Sequence, residues 1–317
     1  MKTDLLMWTV LVIAAAFYPV FFPSVLAIPI MVLLFAGWAT AWDVLGGWSG
    51  QVSLGHVAFV GLGAYAVAIG SETYGIAPWT AIILAVLIAI ILALIWGWLT
   101  FRLQGVYFAM STIAIAEMIR LIAINEDWLT GGPTGVFISM LPEPFGLDLF
   151  EKTTQFYLAL VFAAVTILIM IIMSRGKFGY QLRAVREDEQ SAMAAGIDPA
   201  HVKFKAFVLS AALTTIGGGI YGIYLSFLDP DVTFNLLFSI QIAVIAIVGG
   251  RGTIWGPAVG ALILVAASEI FRNTFAHANM LVYGILILVV MLFFPRGIVG
   301  EILYHRVRKS YARRTQS

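Results

Sequence analysis

The 317-residue sequence contains no cysteine, which excludes disulfide bonds, thiol nucleophiles and cysteine metal ligands. Charge is also scarce. Charged residues make up 11% of the chain, whereas an ordinary soluble domain carries about 25%, so there is too little charge to cover a surface that faces water. The net charge of +1 gives no overall field that would attract nucleic acid, and we expect no nucleic-acid partner.

The motifs that hold nucleotides or metals are missing as well. The one Gly-Lys pair, Gly176-Lys177, is followed by Phe178, and position 171 is isoleucine where a phosphate-binding loop requires glycine. The four histidines lack helical pair spacing, so we predict no metal site. No acid, base or metal groups converge, so we predict no enzymatic activity for this chain.

Hydrophobic residues make up 61% of the chain and occur in long runs, such as 79–100 and 280–294. Runs of about 20 residues match the ~30 Å hydrocarbon core of a membrane. The unbroken apolar run 81–94 favours helices over the alternating strands of a barrel. We therefore predict one all-α, polytopic transmembrane domain over residues 1–317, with about ten transmembrane or re-entrant helices. The predicted spans are 5–22, 26–45, 52–70, 79–100, 105–124, 155–173, 204–228, 236–250, 255–272 and 279–294. The third, eighth and ninth are short or interrupted by glycine, so they could be re-entrant or broken.

The distribution of basic residues predicts the orientation. With the N-terminus inside, 15 of the 18 lysines and arginines fall in inner segments, as the positive-inside rule requires. The predicted outer loop Asn125–Thr154 carries five acids against one lysine. We therefore expect a multi-pass protein of the plasma membrane, surrounded by lipid, with both termini in the cytoplasm.

The longest inner segment, 174–203, predicts a short helix outside the membrane. Glu187, Asp188 and Glu189 are acids suited to a first helical turn, Gly196 is suited to the position after the last turn, and Pro199 prevents continuation. Small or soft apolar residues follow one another on this helix: Ala192, Met193, Ala195 and Ile197. Such a helix could dock in a groove of a partner protein or lie on the membrane surface.

Four stretches carry a resemblance to a known family. They are Arg183-Ala-Val-Arg-Glu-Asp-Glu-Gln-Ser-Ala-Met-Ala-Ala-Gly-Ile-Asp with the following Val202-Lys-Phe-Lys-Ala-Phe, Gly50-Gln-Val-Ser-Leu-Gly-His-Val-Ala-Phe, Leu129-Thr-Gly-Gly-Pro-Thr-Gly, and Val248-Gly-Gly-Arg-Gly-Thr-Ile-Trp-Gly-Pro. The chain resembles the M-type permeases of branched-chain amino acid ABC importers over nearly its whole length. Importers of urea and short amides share this permease type, so they remain an alternative.

The resemblance implies a function and a set of partners. The chain would be the permease of an ATP-driven importer in a bacterial inner membrane, paired with a second permease of the H type. Two nucleotide-binding subunits would bind the ATP, a soluble protein would deliver the substrate, and this chain would need no cofactor. The resemblance also implies that the inner segment couples the permease to the ATPase, and the expected coupling residues are Glu187, Asp188, Ala192, Ala195 and Gly196.

The glycine-rich stretch 48–63 is the expected place for the substrate path, because a broken span exposes backbone donors and acceptors near the membrane midplane. We expect the path to include Ser53, Gly55, His56 and Ser111. Plain packing of these residues is the alternative.

Two glutamates within spans are each followed by an arginine three positions later, Glu117 by Arg120 and Glu269 by Arg272. Residues at this spacing share one helix face, so we expect structural ion pairs. A proton-coupled secondary transporter that uses Glu117 or Glu269 as a carrier is the competing hypothesis.

Overall fold

The computed structural model describes residues 2–101, 103, 105–138, 148–274, 284, 288 and 292–305. Within these residues the chain is a bundle of α-helices with one two-stranded sheet. The helices are α1 (Lys2–Ala16), α2 (Tyr18–Phe21), α3 (Ala27–Asp43), α4 (His56–Glu72), α5 (Pro78–Thr100), α6 (Val106–Asn125), α7 (Asp127–Thr130), α8 (Lys152–Arg175), α9 (Lys177–Glu187), α10 (Glu189–Ala194), α11 (Pro199–Leu225), α12 (Pro230–Thr233), α13 (Leu236–Gly250) and α14 (Gly256–Thr274). A π-helix (Val44–Trp48) continues α3, a 3₁₀ turn spans Gly132–Thr134, and strands β1 (Val136–Phe137) and β2 (Phe227–Leu228) pair antiparallel.

Length and composition identify the membrane spans. Among the described residues, seven helical segments are long and apolar enough to cross a membrane: Thr3–Phe21, Ala27–Trp48, Pro78–Thr100, Val106–Asn125, Lys152–Arg175, Pro199–Leu225 and Pro230–Gly250. Two shorter apolar helices are His56–Glu72 and Gly256–Ile270. The first nine predicted spans each coincide with one of these helices. Of the predicted span 279–294, the structure describes only 284, 288 and 292–294.

The centre of the bundle is the contact between α4 and α11, which glycines bring close together. A Cβ on Gly63 would lie 2.1 Å from the Thr215 carbonyl oxygen, and one on Gly218 would lie 2.2 Å from that of Val60. Neither position has room for a methyl group, so the two backbones touch directly. Apolar clusters then fill the space on either side, around Trp38 and around Phe59.

The bundle has two unlike ends. We call the end with α9, α10 and the turn 250–255 the basic end, because Arg183, Arg186, Lys203 and Arg251 lie there. We call the end with α7, β1, β2 and α12 the acidic end. Its acids are Glu126, Asp127, Asp229 and Asp231.

Candidate functional site

The loop at the basic end contains two short helices, not one. Asp188 has an extended backbone (φ −162°, ψ 120°) that separates α9 from α10, and its carboxylate accepts a hydrogen bond from the Ser191 amide at 2.6 Å. The prediction of a single helix that begins at Glu187 is therefore wrong. A side chain as short as aspartate's can satisfy an unpaired amide at a helix start, so Asp188 caps α10 while Glu187 ends α9.

The far end of α10 is as predicted. Gly196 has φ +79°, its amide donates to the Met193 carbonyl at 2.9 Å, and the Ile197 amide donates to the Ala192 carbonyl at 3.0 Å. This pair of bonds is the Schellman motif, which closes a helix through a left-handed residue. Pro199 then occupies the first turn of α11, whose start is capped by Asp198.

The expectation that Ala192 contacts a partner is corrected by the way α10 packs. Ala192 is 3% exposed and packs in the apolar cluster of its own chain with Leu182, Val185 and Val202, so it offers no surface to a partner. The loop folds back because Glu189 pairs with the buried Lys203 of α11, Oε1 to Nζ, at 2.5 Å. The other residues expected to couple the loop are exposed: Glu187, Asp188, Ala195 and Gly196.

The pKa of Asp188 is held below its usual range, because the carboxylate accepts hydrogen bonds from the side chain and the amide of Ser191. Met193, beside the buried Ala192, is 55% exposed. The loop therefore presents a small surface of acids, one soft apolar side chain and an open glycine turn.

Arg186 fastens this loop to the spans, and the sequence reasoning missed it. Its Nη1 donates to the Gly47 carbonyl in the π-helix at 2.8 Å. Next to this bond, the Asp43 carboxylate accepts the Gly252 amide at 2.9 and 3.0 Å. Asp43 is fully buried. The sequence signal for this junction was Asp43, an acid inside an apolar span, because a buried carboxylate needs a hydrogen-bond partner.

His56, one of the expected substrate-path residues, meets Ser210 of α11 inside the bundle. The Ser210 hydroxyl donates to the Ala41 carbonyl at 2.6 Å and lies 2.7 Å from Nε2 of His56. Since a serine has one hydroxyl proton, His56 must donate from Nε2, which leaves Nδ1 as an acceptor. That Nδ1 is buried, and within the described residues it has no hydrogen-bond partner.

Ser53 and Gly55 lie in the stretch that leads into α4. The Ser53 carbonyl accepts from Nε1 of Trp42 at 2.6 Å, and its hydroxyl lies 3.4 Å from the Gly55 amide. The Leu54 amide donates to the Thr112 hydroxyl at 3.0 Å. Thr112, not Ser111, therefore reaches this stretch from α6.

Ser111 donates to the Phe108 carbonyl of its own helix at 2.7 Å. The structure thus brings together Ser53, Gly55 and His56 but not Ser111. Ser111 faces another direction than its neighbour Thr112, because adjacent residues differ by about 100° around a helix axis, and its place on the substrate path stays a prediction.

The predicted ion pair on α6 is present. Arg120 pairs with Glu117 and also with Asp231 of α12. For the second predicted pair, Glu269 has an interaction partner, while the Arg272 side chain lies outside the described residues. The part of the chain that the structure describes has no group of three or more residues that could hold a metal ion.

Comparisons with known proteins agree with this architecture. Residues 22–291 match the family model described as branched-chain amino acid transport system / permease component. No solved structure matches the chain significantly.

Three curated relatives represent the similarity. The chain is 28% identical over 323 residues to the high-affinity branched-chain amino acid transport system permease protein LivM of Salmonella typhimurium, covering 94% of this chain and 75% of that protein. It is 31% identical over 163 residues to the permease protein BraD of Pseudomonas aeruginosa, covering 50% and 52%. It is also 26% identical over 201 residues to the permease protein LivH of Salmonella typhimurium, covering 61% and 60%. The family match spans most of the chain and the helices suit a membrane, so this multi-pass membrane protein belongs to the family of branched-chain amino acid transport permease components.

Proposed function

We propose that this chain is one of two permease subunits of an ATP-driven importer of branched-chain amino acids, with its basic end and both termini in the cytoplasm. The observation that carries the proposal is the α9–α10 loop. It is a folded, capped element outside the spans that exposes Met193, Ala195 and Gly196 and is fastened to the membrane helices. A loop with these properties suits the docking of an ATPase subunit, whose motion must be transmitted to the spans.

The partners follow from the two ends. Nucleotide-binding subunits bind the loop at the basic end and hydrolyse ATP, while this chain performs no chemistry on the substrate. A soluble binding protein delivers the substrate at the acidic end. The chain is similar to both LivM and LivH, which supports a second permease of similar fold as its partner.

The interior around Ser53, Gly55 and His56 suits an amino acid. A zwitterion requires hydrogen-bond donors for its carboxylate and acceptors for its ammonium group. The buried Nδ1 of His56 is a free acceptor among the described residues, and the irregular stretch 49–55 leads directly into His56 along the chain. We propose that this region lines the substrate path.

Transport in vesicles tests the energy source. Membrane vesicles that contain the whole complex and are loaded with ATP accumulate labelled leucine when binding protein is added outside, and a proton ionophore leaves the rate unchanged. Accumulation that ignores ATP and collapses with the ionophore would instead support the secondary transporter. If unlabelled urea or acetamide competes and isoleucine and valine do not, the substrate is urea or a short amide.

Cysteine labelling tests the orientation, since the chain has no cysteine of its own. An impermeant thiol reagent leaves Ser191→Cys unlabelled in intact cells and labels it in inside-out vesicles. Trp128 at the acidic end is 77% exposed, so Trp128→Cys is the matched control with the opposite pattern. Labelling of Ser191→Cys from outside the cell would exclude a cytoplasmic loop.

A further inference from the structure

Arg186 satisfies a carbonyl at the end of a helix. The π-helix Val44–Trp48 is followed by Gly50 in the left-handed region, with φ +78°. The carbonyl of Leu45 accepts from the Ser49 hydroxyl at 2.7 Å and from the Gln51 amide at 3.1 Å. The carbonyl of Gly47 accepts from Arg186 instead, at 2.8 Å. A cation is favoured there because the last carbonyls of a helix are unpaired and carry partial negative charge.

The segments around this bond are in direct contact. A Cβ on Gly47 would lie 1.9 Å from Oδ1 of Asp43 and 2.5 Å from the Gly252 nitrogen. A Cβ on Gly252 would lie 2.4 Å from Nη1 of Arg186. There is no room for a methyl group at either glycine, so the loop, the π-helix and the turn after α13 form one tightly packed junction.

Two further contacts make the loop a rigid connection. The guanidinium of Arg183 lies 5.4 Å from the ring centroid of Trp48, a cation–π contact. On the other side of the loop, Glu189 pairs with Lys203 of α11. The loop is therefore anchored to the π-helix that continues α3 and to α11, the helix that carries Ser210.

The junction leads directly to the proposed substrate path. Trp48 ends the π-helix, and Ser53 and Gly55 follow within seven residues along the chain. A π-helix is rare and frequently lies at a functional site. A displacement of the loop would move the π-helix and, through it, the stretch 49–55.

We propose that Arg186 is the positioning residue that locks the α9–α10 loop to the π-helix, so that the two move as one unit when an ATPase subunit drives the loop. The proposal rests on the proposed function and adds the route by which the loop reaches the substrate path. Arg186 touches no substrate and acts through the backbone of Gly47.

A reversible disulfide tests this lock. An ideal Cβ on Gly50 lies 3.8 Å from the Cβ of Arg186, which is close to the mean Cβ–Cβ distance of about 3.8 Å in disulfides. In the reconstituted whole complex, Arg186→Cys loses a charge-assisted bond and lowers the leucine transported per ATP hydrolysed about tenfold. Oxidation of Gly50→Cys/Arg186→Cys restores this ratio toward the wild-type value, and reduction of the same sample lowers it again.

Controls separate the lock from general damage. Gly50→Cys alone reports the effect of a side chain at a left-handed position. Arg186→Lys keeps the positive charge and the donor, so its ratio of leucine transported to ATP hydrolysed should lie between those of the wild type and Arg186→Cys. Gly252→Ala and Gly75→Ala both place a side chain at positive φ, but only the first would meet Arg186, since nothing lies within 4 Å of the Cβ at Gly75. The lock predicts a lower transport ratio for Gly252→Ala than for Gly75→Ala, even if the cysteine pair does not assemble.

The outcomes distinguish the two proposals. The lock is overturned if Arg186→Cys keeps the wild-type ratio of leucine transported to ATP hydrolysed. It is also overturned if the oxidised cysteine pair keeps a low ratio and Gly252→Ala gives the same ratio as Gly75→Ala. Both results require that wild-type transport depends on ATP. If wild-type transport ignores ATP, the proposed function itself fails.

Discussion

The two ends of the bundle are held together by different kinds of bond. At the basic end, side-chain charges reach backbone groups of distant segments: Arg186 binds the Gly47 carbonyl, and Asp43 binds the Gly252 amide. At the acidic end, backbone pairs with backbone, since β1 pairs with β2 through Val136 and Leu228. The basic end therefore fixes a loop to the spans. The acidic end joins two chain connections to each other.

The acidic end also leaves most of its acids exposed to solvent. The Asp231 carboxylate that pairs with Arg120 is 68% exposed, and exposed pairs contribute only about 0–1 kcal/mol. Glycines with positive φ at 131, 132 and 135 form its turn. The comparison teaches that one end fixes a loop rigidly to the spans, while the other presents acids on a compact turn.

The largest effect is expected for Glu189→Gln at the basic end. This change leaves Lys203, whose side chain is 4% exposed, without its carboxylate. An unpaired buried charge costs about 3 kcal/mol or more, so the loop opens about 100-fold more often and is cleaved by protease correspondingly faster.

Glu187→Gln is the matched control. Glu187 is 77% exposed and 3.6 Å from Arg186, so its loss changes loop opening by no more than about 1 kcal/mol. Equal cleavage rates for the two variants would mean that the Glu189–Lys203 pair does not hold the loop.

A smaller effect is expected for charge reversal at the acidic end. Glu126→Lys with Asp127→Lys should weaken stimulation of ATP hydrolysis by the binding protein several-fold, because complementary charges mainly raise the association rate. The remaining stimulation should depend less on salt than it does in the wild type. Glu126→Gln, which retains an acceptor for Nε1 of Trp128, is the milder control. Unchanged stimulation and salt dependence would indicate that this turn is a plain connector.

The smallest effect concerns pH. Because hydrogen bonds to Ser191 lower the pKa of Asp188, its contribution to α10 is present above the unfolded pKa and is lost only as pH falls through the lower folded pKa. Hydrogen exchange should therefore show constant protection of α10 between about pH 5 and 8. Asp188→Ala should weaken that protection across the whole range. A loss of protection with a midpoint inside the range would contradict the assignment of Asp188 as the cap.

Much of this fold is predictable because membrane spans and caps are local properties. Apolar runs predicted the seven candidate spans and two shorter apolar helices of the described residues, and Gly196 before Pro199 predicted the end of α10. The third predicted span is short, as expected, since α4 starts only at His56. Each of these features depends on residues that are neighbours in the sequence.

The features that were missed depend on distant partners. Ala192 is buried in a cluster that also contains Leu182 and Val202, and Arg186 matters because it binds the distant Gly47 carbonyl. Thr112, and not Ser111, contacts the stretch 49–55 because packing sets which face of α6 turns toward it. No periodicity in the sequence contains that information.

The central claim is that the basic end, and not the acidic end, couples the chain to an ATPase. Gly196 (φ +79°) and Gly75 (φ +60°) lie at opposite ends, and nothing lies within 4 Å of the Cβ at either position. Replacing either glycine with valine therefore adds a similar backbone strain of roughly 1 kcal/mol or more. The two variants differ only in the end of the bundle at which the valine lies. The measurement is leucine uptake and binding-protein-stimulated ATP hydrolysis in the reconstituted complex, normalised to inserted permease. We predict that Gly196→Val lowers both about tenfold, because overpacking a fitted contact costs about 1–3 kcal/mol, while Gly75→Val keeps ATPase subunits bound and active. Equal activity of the two variants would contradict the assignment of the α9–α10 loop as the docking element.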